Sequence, residues 1–197
     1  MHLIPTRTIA LDIGTNMGYA ESLNNVIVRS GTIRVKDGNE RWGQAMVKLW
    51  DFLNQLVYKN DYHQNYTLEF CCETVDFHRS VDSAHAYARI LGQVEKFTEL
   101  GKWAFRGYQV KQIKKLFTGN GNAKKTDMCH RCHLLGWKGG ALGTDNDNDE
   151  ADAIAILYVH LAARGETATF SKESTHEYKA AKIHPADFHR EVFGETW

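Results

Sequence analysis

The pattern of apolar and polar residues at the start of the chain predicts three short strands. Residues 8–14 form an apolar run that ends at a glycine, and residues 17–22 and 25–35 continue as two further strand-like runs. Asparagines at positions 16, 24 and 25 are typical of the tight turns between such strands. The pattern therefore predicts an antiparallel meander of three strands.

The rest of the chain alternates between helical and strand-like patterns. In the first helical stretch, apolar side chains recur at steps of three and four residues, as Ala45, Leu49 and Phe52 illustrate. Residues 66–75 are nearly all apolar, which suits a central strand covered on both faces. The further predictions are helices at 40–58, 81–100, 112–117, 125–135 and 150–163, and a strand at 103–110.

This order of elements predicts an α/β domain, a mixed five-stranded sheet flanked by helices. We expect residues 1–165 to form that domain. Residues 166–197 are polar and without a clear pattern, and we interpret them as a C-terminal tail or extension.

Charge is unevenly distributed, although the formal net charge of the 197-residue chain is zero. Residues 101–144 contain nine basic side chains and one acid, Asp127, and residues 144–152 then contain five acids. A basic block beside an acidic block favours a phosphate-binding surface next to a cation site. Two solvated surfaces of opposite sign are the alternative interpretation.

The chain has no apolar run near the roughly 20 residues that span a bilayer, and its start has no apolar signal-peptide region. Its four cysteines are few for a disulfide-stabilised secreted protein. We therefore expect a protein without a membrane segment, working in a reducing compartment such as the cytoplasm.

Four acidic residues occupy positions that this fold would bring together. Asp12 lies in the first strand, and Glu73 ends an apolar run in another strand. Asp149 and Asp152 begin the last predicted helix, on one helical face. Such carboxylates are costly to bury unless cations compensate them, and hard divalent ions with oxygen ligands do so. For each acid alone, a turn or a favourable helix N-terminal charge is the alternative.

The segment from Cys129 to His133 contains two cysteines and two histidines. These residue types bind zinc, but a single C-x-x-C pair without a second separated pair is a weak zinc signal. Cys129 and Cys132 share a helical face with Met128 and Leu135, which favours packing in the core or at a dimer contact.

The chain resembles the RuvC family of Holliday junction resolvases over roughly residues 8–163. The resemblance rests on several motifs in the family's order, each modest alone. They are residues 10–15 (ALDIGT) with 18–20 (GYA), 72–75 (CETV), 82–84 (DSA), 118–125 (TGNGNAKK) and 149–155 (DEADAIA).

The resemblance implies a ribonuclease-H-like fold. It also implies a DNA endonuclease that uses two Mg²⁺ ions, with Mn²⁺ as a possible substitute, and a homodimer acting on branched DNA. It implies that Asp12, Glu73, Asp149 and Asp152 hold the metal and, with Lys125, form the catalytic set. The residues expected to contact DNA are Phe77, Lys111, Lys114, Lys115, Gly119, Gly121 and Lys124.

Three positions depart from the family's pattern. Asp76 stands where the family places an aromatic wedge, so we assign that role to its neighbour Phe77, with packing of Phe77 in the core as the alternative. Val110 replaces a usual proline, and compact bacterial members lack a tail like 166–197. These differences indicate a divergent branch, as in a phage or virus.

Three other functions stay open at this level. Residues 12–16 also resemble the phosphate loop of actin-like ATPases, which need two lobes of this size. A branched-DNA-binding protein without catalysis is the second alternative, although all four acids are present. A general flap or hybrid nuclease of the same superfamily is the third, because substrate choice depends on surface shape.

Overall fold

The computed structural model of the chain describes residues 4–58, 66–78, 80–139 and 145–175. Strands and helices alternate in nearly the predicted order. The elements are β1 (Thr6–Asp12), β2 (Asn16–Leu23), β3 (Val26–Arg34), α1 (Trp42–Tyr58), β4 (Thr67–Thr74), α2 (Val81–Gly101), β5 (Ala104–Gln109), α3 (Val110–Thr118), α4 (Lys125–Leu134), α5 (Asp145–Ala163) and β6 (Thr169–Thr175).

The strands form one mixed sheet in the order β5-β4-β1-β2-β3-β6. As predicted, β1, β2 and β3 form an antiparallel meander, and β4 and β5 then add in parallel beside β1. Asn24 and Asn25 have φ values of 46° and 69° in the β2–β3 turn. Asparagine tolerates this left-handed conformation better than most residues, which explains the turn signal in the sequence.

The sheet has one strand more than the five predicted. Strand β6, from the start of the predicted tail, pairs in parallel with β3 at the sheet edge. An edge strand with mostly polar residues lacks the apolar alternation on which the prediction relied. The remainder of the predicted tail, 176–197, lies outside the described residues, so the division of the chain at residue 165 stays a prediction.

The sheet lies between two layers of helices, and strand alternation decides which side chain enters which layer. Ile9 and Leu11 of β1 join the core cluster that includes α1 and α2, whereas Ala10 joins the cluster formed with α3, α4 and α5. In β4, Cys72 and Cys71 divide in the same way. Continuing the alternation by two residues places Asp12 and Glu73 on the α5 side of the sheet.

Helix α5 begins at Asp145, five residues before the predicted start at residue 150. Apolar periodicity does not detect this first turn because residues 145–149 are all Asp or Asn. Asp149 and Asp152 therefore lie inside the helix rather than at its first turn, which corrects the prediction. Among the described residues, no helix is long and apolar enough to cross a membrane.

The cysteine-rich segment in α4 packs into the core, as one of the two interpretations predicted. Met128, Cys129 and Cys132 are buried, and the Cys132 thiol donates to the carbonyl oxygen of Ala151 at 3.6 Å. His130 is exposed. In the described part of the chain, the group of side chains able to hold a metal ion contains no cysteine. The zinc interpretation therefore has no support.

A buried ionic group fixes the C-terminal end of α1 to the sheet. The Arg7 side chain, 3% exposed, donates to Glu21 at 2.7 Å and to the carbonyl oxygens of Val57 and Leu56 at 2.9 and 2.5 Å. Arg29 makes a second ion pair with Glu21. The final carbonyls of a helix have no partner within the helix, so this arginine satisfies them.

Replacing Glu21 with Gln should destabilise the fold strongly, because the buried charge of Arg7 loses its counterion. We expect a loss of about 3–5 kcal/mol in the free energy of unfolding, measured by urea denaturation. The matched control is Asp37→Asn, which breaks ion pairs of an acid that is 60% exposed. That control should cost less than about 1 kcal/mol. Equal losses in both variants would contradict the assignment.

Candidate active site

Two carboxylates come from adjacent parallel strands. Asp12 is the last residue of β1, and Glu73 lies one rung beyond the pair formed by Leu11 and Cys72. The carboxyl ends of parallel strands meet at one edge of the sheet, so both side chains arrive at the same place. Both follow residues that are completely buried, so they stand at the edge of the core.

Two further carboxylates come from α5, which lies directly against strand β2. Gly18 pairs with Asp12 across the β1–β2 ladder. A Cβ atom added at Gly18 would overlap the carbonyl oxygen of Asp149. The absence of a side chain at this position therefore allows α5 to approach the sheet, with Asp149 and Asp152 beside the end of β1.

The structure brings three of the four predicted acids into one compact cluster. Carboxylate oxygens of Asp12, Asp149 and Asp152 all lie within 4.8 Å of one another, which is a group that can hold a metal ion. Glu73 is outside this group, but its charge raises the pKa of Asp12. Glu73 is therefore close enough to the cluster for its charge to repel those of the other acids.

The pKa values of Asp12, Glu73 and Asp152 are raised, because burial and mutual repulsion both disfavour their charged forms. Burial raises the pKa of Asp12 well above its ordinary value, and the charges of Asp152, Glu73 and Asp149 raise it further. Burial likewise raises the pKa of Glu73 to about 7, with a further contribution from Asp152. Burial also raises the pKa of Asp152 to about 6, against the opposing effect of Lys125. Raised pKa values of this kind are typical of functional sites and of buried carboxylates that lie close to one another.

Lys125 is the basic residue in direct contact with this cluster. Its Nζ atom lies 3.4 Å from Asp149 Oδ1 and 3.7 Å from Asp152 Oδ2. Burial lowers the pKa of Lys125, but Asp152, Asp149 and Asp12 outweigh that effect and raise it. Lys114 stands further away, where its charge lowers the pKa of Glu73 and Asp152. Two of the predicted lysines therefore border the acidic cluster.

The other predicted DNA contacts occupy the surface around α3 and α4. Lys111, Lys115 and Lys124 are exposed. Gly119 ends α3 with a φ of +84°, a left-handed conformation that most residues adopt only with strain. Gly119 thus has a structural reason to be glycine, and Gly121 lies in the same turn between α3 and α4. Their contact with phosphate stays a prediction.

Phe77 is 84% exposed in the segment between β4 and α2. This exposure rules out the alternative that Phe77 packs in the core. The neighbouring Asp76 is exposed as well. This exposed aromatic ring lies four residues after Glu73 in the chain. Its role as a wedge in DNA stays a prediction.

Glu150 is a site residue that the sequence analysis did not single out. Its carboxylate is buried and accepts hydrogen bonds from Ser30 Oγ at 2.7 Å and from Trp137 Nε1 at 2.9 Å. These bonds hold the second turn of α5 against β3. A sequence signal existed, because position 150 continues the buried helical stripe of Ile154 and Leu157.

The fold and the acidic cluster together define a nuclease domain of the ribonuclease-H-like class. The family model described as crossover junction endodeoxyribonuclease RuvC matches residues 13–160. The chain belongs to the RuvC family. This membership removes the actin-like ATPase from the alternatives.

Individual relatives agree with this assignment. The chain is 30% identical over 160 residues to the crossover junction endodeoxyribonuclease RuvC of Brachyspira hyodysenteriae, covering 79% of this chain and 93% of the relative. Its fold is similar to Thermus thermophilus RuvC in complex with a Holliday junction substrate, with a TM-score of 0.64, 17% identity and coverage of 82% and 98%. It is also similar to the yeast mitochondrial Holliday junction resolvase Ydc2, with a TM-score of 0.56, 13% identity and coverage of 79% and 78%.

Proposed function

We propose that this chain is a Mg²⁺-dependent endonuclease that resolves four-way DNA junctions as a homodimer. The observation that carries the proposal is the contact of Lys125 with the cluster of Asp12, Asp149 and Asp152, at the border of a basic surface. Membership of the RuvC family and the similarity to a junction-bound RuvC support the same reading. The cytoplasm of a bacterial or phage-infected cell is the proposed place of action.

The donor set of the cluster fits Mg²⁺. All its ligand atoms are carboxylate oxygens, which hard divalent ions prefer, and neither sulfur nor imidazole is among them. Burial and the neighbouring carboxylates raise the pKa of Asp12, and a divalent cation would compensate that buried negative charge. We assign Asp12, Asp149, Asp152 and Glu73 to two Mg²⁺ ions, which Mn²⁺ can replace. When bound, two such ions activate water and stabilise the leaving oxygen in phosphodiester hydrolysis.

The basic side chains would act on the phosphate itself. Lys125 lies within ion-pair distance of Asp149 and Asp152. From this position its ammonium group could contact a phosphate bound at the cluster and stabilise charge that develops in the transition state. Lys114, acting from the neighbouring helix α3, adds positive charge on the Glu73 side.

The remaining predicted contacts would place the junction. Lys111, Lys115 and Lys124 can bind the phosphate backbone without reading sequence, and Phe77 can stack on an exposed base at the crossover. A four-way junction is two-fold symmetric, as is the commonest protein dimer, so a homodimer can present one active site to each of two opposed strands.

Cleavage of labelled DNA tests the proposal directly. The wild-type protein is incubated with a four-way junction, a linear duplex and a flap, with and without Mg²⁺. We expect paired, symmetric nicks in the junction, dependent on Mg²⁺ and lost in Asp152→Asn. The matched control, Glu99→Gln, removes an exposed acid of α2 and should cut like the wild type.

Other outcomes would identify a different function. Preferential cutting of flaps or hybrids would keep the metal site but make the protein a general structure-selective nuclease. Tight junction binding without any cutting would indicate a binding protein. Binding should also weaken steeply with salt, because phosphate contacts release counterions. A flat salt response would contradict the proposed basic surface.

A further inference from the structure

A cleft lies at the edge of the sheet where β1 and β4 end, on the side of α1 and α2. Its volume is about 710 Å³, within the usual range for small-molecule sites. The turn after β1 and the first turns of α1 and α2 form its walls. The residues that carry the argument are Thr15, Lys36, Trp42, His78, Tyr87 and Arg89.

Several residues that line the cleft follow the predicted metal ligands closely in the chain. Gly14 and Thr15 line it and follow Asp12 within three residues, and Val75 lines it and follows Glu73 within two. Tyr87 Oη donates to the carbonyl oxygen of Glu73 at 2.9 Å, which ties the wall of the cleft to the strand that carries the catalytic glutamate. A ligand in this cleft would therefore lie at the same carboxyl edge of β1 and β4 as the cluster, across that edge from the α5 side where Asp12 and Glu73 point.

Two cations hold fixed positions at the mouth of the cleft. Arg89 Cζ lies 4.9 Å and Lys36 Nζ lies 5.5 Å from the centroid of the Trp42 ring. In the part of the chain that the structure describes, neither cation has an ion-pair partner within 4 Å. Lys36 Nζ donates to the carbonyl oxygens of Asp37 and Gly38 at 3.0 and 2.9 Å, which holds it in place. Asp82 is the single acid among the lining residues. Positive charge held against an aromatic ring without a carboxylate in direct contact suits a phosphate group.

The cleft also offers an aromatic surface. The rings of His78 and Tyr87 lie 4.9 Å apart at an angle of 47°, and the hydrogen bond of Tyr87 to Glu73 limits its movement. His78 is only partly buried and lines the cleft. Aromatic rings of this kind stack on bases that have left the duplex.

We propose that this cleft receives one unpaired nucleotide of the DNA strand being cut, next to the scissile phosphate. Arg89 and Lys36 bind its phosphate, and its base stacks on His78. The inference rests on the proposed function, because it assigns the substrate strand to that active site. A paired base must first unpair and unstack before it can enter, which costs free energy that an already unpaired base does not need. A branch point supplies bases that unstack most easily, so the cleft favours branched over linear DNA.

The test compares an intact junction with one carrying an abasic nucleotide beside the cut, in single-turnover cleavage with Mg²⁺. For the wild type, we expect the abasic site to slow cleavage roughly tenfold, the size of one lost base–aromatic stack. In His78→Ala this penalty should shrink to less than about twofold, because the variant has no aromatic ring on which the base could stack. Arg89→Gln should weaken cleavage of both junctions while keeping the abasic penalty.

Lys96→Gln is the matched control, because Lys96 is an exposed cation on the same helix, outside the cleft. It should retain both the wild-type rate and the full abasic penalty. Thermal melting checks that each variant is folded. If wild type and His78→Ala cut the junction with the same abasic penalty, the cleft does not hold the base, and the proposed function stands without it.

A binding measurement separates this inference from the proposed function. Fluorescence anisotropy with a short labelled oligothymidylate reports single-strand binding without cleavage. We expect Arg89→Gln and His78→Ala each to weaken binding about tenfold, and Lys96→Gln to leave it unchanged within twofold. If the wild type cuts no DNA but shows this pattern, the proposed function fails. The cleft would then be a single-strand binding site, and its assignment to a strand being cut would fail as well. Equal binding by all variants would contradict the proposal that the cleft binds a nucleotide.

Discussion

Asp12→Asn should lower metal-dependent cleavage about 10²–10³-fold, as expected when a central stabilising group is removed from an active site. Asp12 connects the two parts of the site. Its carboxylate lies within 4.8 Å of both α5 acids, and the charge of Glu73 raises its pKa. An amide is nearly the same size but carries no charge, so the variant should fold normally while holding divalent ions poorly. Junction binding through the basic surface should persist.

The same substitution should stabilise the metal-free protein. The pKa of Asp12 in the folded state is raised well above its ordinary value, by burial first and then by Asp152, Glu73 and Asp149. As the pH rises from the unfolded-state pKa of about 3.9 through the higher folded-state pKa, the unfolded state ionises first. Stability is therefore lost over that window, and Asn removes the loss.

Thermal melting in chelator and in Mg²⁺ checks this prediction. In chelator at pH 8, Asp12→Asn should melt above the wild type, and the difference should narrow toward pH 4. Mg²⁺ should raise the melting temperature of the wild type more than that of the variant, since ligands stabilise the state that binds them. Glu99→Gln serves as the control and should behave as wild type throughout. Wild-type cleavage by Asp12→Asn would refute the site.

Local sequence patterns predicted the strand ends that carry Asp12 and Glu73. Both acids follow apolar runs, and alternation with period two gives their side of the sheet, so the information lies within a few residues. The position of Lys125 came from the resemblance to a family, and the structure places it against Asp149. The part of the site that depends on strands and helix faces was therefore within reach of the sequence.

Features that depend on contacts distant in sequence were not predictable. Glu150 meets Ser30, a partner 120 residues away, and no local pattern specifies that pair. The cleft beside the site needs Trp42 and Arg89 to meet, which depends on how α1 and α2 pack. Strand β6 lies at the sheet edge and needs little apolar character. In each case tertiary packing, rather than periodicity, decides the outcome.

Gly18→Ala should damage both stability and activity through a single methyl group. The new Cβ would overlap the carbonyl oxygen of Asp149 and lie 3.0 Å from the backbone nitrogen of Glu150. Backbone atoms cannot rotate away as a side chain can, so α5 must move from β2 as a unit. Overpacking of this kind costs about 3 kcal/mol or more when the backbone has to shift.

The displacement would also separate the two halves of the acidic cluster. Asp149 and Asp152 would move with α5, whereas Asp12 would stay with the sheet beside residue 18. We therefore expect loss of Mg²⁺-induced stabilisation as well as loss of cleavage. Urea denaturation, thermal melting with Mg²⁺ and junction cleavage measure the three effects on one preparation.

Gly92→Ala is the matched control for this substitution. Gly92 lies inside α2, and a Cβ added there would meet no atom within 4 Å. Because alanine favours a helix more than glycine does, this variant should gain about 0.5–1 kcal/mol and keep full activity. If Gly18→Ala instead matched the wild type in stability and cleavage, α5 would not lie against β2 as described. The cluster of Asp12, Asp149 and Asp152 would then need a different geometry, because the contact at Gly18 is what brings the helix acids to the strand acid.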